Sequence, residues 1–144
     1  MEKGKIEIDL GEGSSILVVS GLAQKIESSK RILGYQNDWD EEGSVGYKKE
    51  TWVRAIRFVV KLIEKAEREI GEEVSYPDIE HGPDGGIDLD WRDEIIRLLI
   101  FIPESKDKPV TYYGDNFKEL KIKDSFILGA CTEEDLLKII KLFR

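Results

Sequence analysis

The chain has 144 residues, 40% of them apolar and 36% charged, and a formal net charge of −8. That length fits a single domain spanning 1–144, large enough to bury a core without disulfide staples. One cysteine, Cys131, excludes an internal disulfide and a thiolate-built zinc site, and the acidic balance argues against a nucleic-acid surface, which needs clustered Lys and Arg.

Residues Lys5 to Leu10 alternate charged and apolar side chains, which predicts a short half-buried strand, and 1–13 reads as that strand or as a flexible arm. Residues 1–10 lack the apolar stretch of a signal peptide, and the longest apolar run, Leu98 to Ile102, is too short to cross a membrane. A cytoplasmic protein is the expectation. From Ser14 or Ser20 to Leu33, Leu22, Ile26 and Leu33 recur at helical spacing, with Gly34 placed as a C-terminal cap. A polar stretch, 35–48, leads to the strongest helical pattern. Trp52, Ile56, Val59, Ile63, Ala66 and Ile70 step by four and three along one stripe, and Gly71 closes it.

Beyond Gly71 the period falls to two. Residues 78–82 run into Pro83-Asp84-Gly85-Gly86, a turn with glycine where positive φ is needed, and Ile87 to Trp91 return as a strand with Asp88 and Asp90 outward. Glu94 to Ile102 is apolar enough to predict a central strand. Val110 to Tyr113 and Glu119 to Lys123 predict a further hairpin, and Phe126 to Leu128 is a short apolar run. Thr132, with Asp135 three residues on, predicts a capped last helix. The fold expected is α+β: an antiparallel meander of four to five strands with helices packed on one face, a two-layer sandwich.

Charge is unevenly distributed. Between Glu72 and Glu94, nine carboxylates face the single cation Arg92, so this segment carries as much charge as the whole chain. Abundant Lys and Glu with scarce Asn, Gln, Cys and Met is a thermophile composition.

Two groups of residues offer chemistry. Asp38, Asp40 and Glu42, with Gly43 after them, match positions one, three, five and six of a calcium loop. Position twelve is Lys49 where that loop needs a bidentate carboxylate; the alternative is that Trp39 plugs the core and the carboxylates bond nearby amides. His81, with Asp78, Glu80, Asp84, Asp88 and Asp90, offers one imidazole and several carboxylates on a hairpin, a set suited to Mn²⁺ or Fe²⁺. No serine or cysteine sits in a nucleophile arrangement, and no glycine-rich phosphate cradle is present.

The stretch Asp38-Trp39-Asp40-Glu41-Glu42-Gly43-Ser44 and the hairpin Pro83-Asp84-Gly85-Gly86-Ile87-Asp88-Leu89-Asp90-Trp91 resemble a scattered set of small prokaryotic proteins. These carry a DWDGEG stretch, a helix and a later PDGG-x4-W hairpin; Glu41 here replaces a glycine of the pattern. The resemblance spans about Leu22 to Ile102, agrees with an α+β fold and implies no activity.

The expectation for function is a non-catalytic binding or accessory module, with Asp84, Asp88 and Asp90 presented to a basic protein partner. The alternative is a divalent-metal protein, a hydrolase among the choices, using Asp38, Asp40, Glu42 or His81. No other cofactor is implied. The first strand offers an edge through which two copies would form a homodimer.

Overall fold

The structure is a computed structural model that describes residues 4–144; residues 1–3 of the expected N-terminal arm lie outside it. Two strands, β1 (Lys5–Gly11) and β2 (Ser14–Val19), form an antiparallel hairpin. The helix α1 (Ser20–Ser29) follows at once and tightens into a 3-10 turn over Lys30–Gly34. After the loop 35–48 comes α2 (Lys49–Ile70). Five strands then form a meander: β3 (Asp78–His81), β4 (Ile87–Arg92), β5 (Arg97–Ile102), β6 (Val110–Asp115) and β7 (Lys121–Phe126). They pair in sequence order, all antiparallel, so β5 is central as its apolar run implies. The last helix, α3 (Glu133–Ile140), starts at the predicted capping box, in which Thr132 and Asp135 exchange side-chain and backbone hydrogen bonds.

Two features depart from expectation. Gly34 does not cap α1, which ends at Ser29 with Lys30 as its cap; it is the last residue of the 3-10 turn and has no positive φ. Ser14 to Val19 is a strand, where the helical reading began at Ser14 or Ser20. Gly11, Glu12 and Gly13 hold φ values of 89°, 53° and 77°, so the chain reverses there and returns along β1. Four β-branched or apolar residues, Ile16 to Val19, suit the pleat. The edge offered to a sister chain is thus taken on one side by β2. At the other end of α2, Gly71 caps as predicted, with φ 83° and its amide on the Glu67 carbonyl.

One connected core joins the helices, the inner face of the five-stranded sheet and the hairpin. It includes Ile8, Val18, Leu22, Ile26, Trp52, Ile56, Ile63, Leu89, Trp91, Leu98, Ile100 and Ile139, each at most 1% exposed. Burial on this scale is worth about 1.5–3 kcal/mol per large apolar side chain. Both buried indoles are matched: Trp52 Nε1 donates to Ser29 Oγ, whose hydroxyl donates to the Ile26 carbonyl, and Trp91 Nε1 donates to the Ser75 carbonyl; the buried Thr51 hydroxyl has no partner among the described residues. The outer face of the sheet carries Asp88, Asp90, Leu99, Phe101, Thr111 and Tyr113, with Leu99 and Tyr113 42% and 47% exposed.

Candidate functional site

The two expected groups meet at one end of the sheet, arranged differently from the sequence reading. The loop 38–44 is folded on its own carboxylates. Asp38 accepts from the Gly43 amide at 2.7 Å, and its own amide donates to the Ser44 carbonyl. Asp40 accepts from the amides of Glu42 and Ser44 and from the Ser44 hydroxyl. The Ser44 hydroxyl and then the Glu42 amide hold the Asp40 carboxyl below its ordinary value. Glu42 is exposed. Glu41 sits at φ 61°, a left-handed backbone that glycine adopts at lower cost.

Trp39 does not plug the core. It is half-buried, donates from Nε1 to the Val45 carbonyl, and stacks on Tyr35 at 4.7 Å between ring centres. His81 completes this cluster, with its ring 5.0 Å from Trp39, 5.5 Å from Tyr35 and 6.0 Å from Tyr47. Strand alternation explains the placement. His81 pairs with Ile87 and shares the inner face with Ile79, whereas Glu80 and Asp88 pair on the outer face. The imidazole therefore points away from the strand carboxylates Asp78, Glu80, Asp88 and Asp90, and of the hairpin's carboxylates only Asp84, at the turn, shares its side. Among the described residues no three His, Cys, Asp or Glu side chains converge to hold a metal ion.

The acidic hairpin is partly neutralised from within. Asp78 pairs with Lys25 at 2.6 Å and Glu80 with Arg31 at 2.5 Å, which ties the α1 region to β3. Asp90 pairs with its neighbour Arg92 at 2.6 Å. Asp84 stands exposed at the turn with φ 53°, and Gly85 follows at φ 78°. Asp88 has no cation beside it among the described residues. Burial first, then Asp90 and Glu80, push its carboxyl up to about 6.

Between the loop 38–46 and the β3–β4 turn lies a cleft of about 350 Å³. Trp39, Tyr47 and His81 form its wall, and Asp40 and Asp84 stand on its rim. Tyr47 is fixed by its hydroxyl, which donates to the Gly82 carbonyl at 2.7 Å. Burial, then the charges of Asp88, Asp40 and Asp84 among its neighbours, push the Tyr47 phenol up, so three carboxylates project negative potential into this corner. On the outer side, Gly82 is packed against Asp88 and the Phe101 ring, where an added Cβ would lie 2.8 Å from the Asp88 carboxylate and 3.1 Å from the ring. Sequence reasoning named Asp40, His81, Asp84 and Asp88, and missed Tyr35 and Tyr47. The available signal was three aromatic residues, Tyr35, Trp39 and Tyr47, inside an otherwise polar connection. Compared with protein families, curated proteins and solved structures, the chain matches none.

Proposed function

We propose that this protein is a non-catalytic binding module whose acidic, aromatic-walled cleft receives a basic side chain of a protein partner. The observation that carries the reading is the cleft itself, where Trp39, Tyr47 and His81 face a space rimmed by Asp40 and Asp84. A guanidinium or ammonium is attracted both to aromatic faces and to carboxylates, and the two attractions coincide here. Leu99, Phe101 and Tyr113 on the adjoining face supply apolar area beside the charge, as the centre of an interface requires.

The defining experiment titrates a short arginine-rich peptide and its citrulline counterpart while following tryptophan fluorescence. Trp52 and Trp91 are 1% exposed, so the change reports Trp39. The arginine peptide is expected to bind and to weaken as salt is raised, while Trp39→Ala and Asp84→Asn each weaken it by roughly tenfold, the scale of one lost charge-assisted contact. Equal binding of the citrulline peptide, or no effect of either substitution, overturns the reading.

A further inference from the structure

A chain with a net charge of −8 also gathers positive charge along one helix, and among the described residues Arg57 and Lys61 there form no ion pair. Arg54, Arg57 and Lys61 follow at steps of three and four, which sets them in one stripe along α2. They border a cavity of about 580 Å³, closed opposite by Lys106 and Asp107 of the β5–β6 loop and by the 3-10 turn Leu128–Ala130. Its apolar lining is Phe58, Leu128 and Leu136, with Ile127 40% exposed at the edge. That volume lies in the range of small-molecule sites, and an apolar lining with few polar groups is their usual construction.

Two of the cations are held in place by neutral acceptors. Arg54 Nη2 donates to the carbonyls of Pro103 and Glu104, at 3.1 and 2.7 Å, and so anchors the loop that brings Lys106 across the cavity. Arg57 Nη2 donates to Ser14 Oγ at 2.6 Å, which leaves most of its five donors open. Among the described residues Arg57, Lys61 and Lys106 form no ion pair, whereas Lys25, Arg31, Lys48 and Arg92 each do. Cys131 also lines the cavity, and burial, followed by Asp135, pushes its thiol up against the opposing pull of Lys61. It stays a neutral thiol and extends the apolar wall.

We propose that this cavity binds an anionic amphiphile, an apolar chain or ring bearing one carboxylate. The apolar body covers Phe58, Leu128, Leu136 and Ile127, and the carboxylate pairs with Arg57 and Lys61. Asp107 on the opposite rim repels the anion and sets it toward α2. Charge complementarity selects the anion, and burial of the apolar chain supplies affinity.

The test is calorimetric titration of the full chain with decanoate below its micelle-forming concentration, beside decanol and acetate. Saturable binding of decanoate, at least about tenfold tighter than either comparator, is expected from one charge-assisted contact joined to apolar burial. Lys61→Glu and Arg57→Glu, both at exposed positions, are each expected to weaken it by a similar factor, with melting curves confirming the fold. Lys106→Glu replaces either variant that fails to fold. Trp39→Ala, in the other cleft, is expected to leave decanoate binding unchanged. Absence of saturable binding, equal binding of decanol, or indifference to the charge reversals overturns the proposal, as does loss of binding in Trp39→Ala.

Discussion

Asp88 shows how one position on a strand is set by neighbours that are remote in sequence. It is half-buried beside Gly82 and the Phe101 ring, and Asp90 and Glu80 share its face. Its carboxyl is raised to about 6 in the folded protein, while an unfolded aspartate titrates near 3.9. The native state therefore binds the proton more tightly. The cost of ionising Asp88 is absent below about pH 4, grows between pH 4 and 6, and is complete above that window. Two pK units correspond to nearly 3 kcal/mol, and partial exposure of the group reduces this to about 1 kcal/mol. Asp88→Asn is accordingly expected to be more stable than the parent at pH 7.5 by about that amount and indistinguishable at pH 4, as read from urea melts. A parent-like curve at both pH values would show that the group titrates normally.

At the scale of elements, the β3–β4 connection is the segment most narrowly determined. The Gly82 amide donates to the Gly86 carbonyl at 2.8 Å, and the Gly86 amide donates to the Pro83 carbonyl at 3.0 Å. Gly86 has ordinary extended φ, yet a Cβ there would lie 2.4 Å from the Phe101 ring and 2.7 Å from the Ile102 carbonyl oxygen. The glycine is demanded by close approach of β5, not by backbone conformation. Gly86→Ala is expected to destabilise by about 1–3 kcal/mol through forced repacking, while Gly129→Ala, which meets nothing within 4 Å, should be near neutral in the same melts. The loop 38–44 is determined in another way, by Asp38 and Asp40 accepting its own amides, and the aromatic wall of the cleft rests on that loop.

For the molecule as a whole, three helices and a hairpin lie on one side of a five-stranded sheet, and the other side carries charge and exposed apolar residues. No helix among the described residues is long and apolar enough to cross a membrane. Thermal stability reads the state of every site at once, because a ligand bound only by the folded chain at a hundred times its dissociation constant adds about 2.7 kcal/mol. With Asp38 and Asp40 committed to loop amides and His81 turned from the strand carboxylates Glu80 and Asp88, Ca²⁺ or Mn²⁺ is expected to leave the melting temperature where EDTA leaves it. An ion-specific rise, abolished by Asp40→Ala with His81→Ala, would instead restore the metal reading.

Composition and local period were enough to determine the α+β class, α2 with its Gly71 cap, the capping box of α3, the turn at Pro83 to Gly86 and the central place of β5. Each rests on interactions between residues close in the chain, or on an apolar run that only a covered strand accommodates. The hairpin return at Ser14 was harder to see, because Leu17, Val18 and Val19 lead without a break into the helical pattern of α1. The functional surfaces were decided by tertiary structure. Alternation sent His81 inward, but only packing of the loop 35–47 over it made an aromatic cleft. The cations Arg54, Arg57 and Lys61 could be seen as a stripe in the sequence, yet the apolar floor beside them comes from elements some fifty to eighty residues away. Local sequence sets which way a side chain points; what it meets there depends on chain returning from a distance.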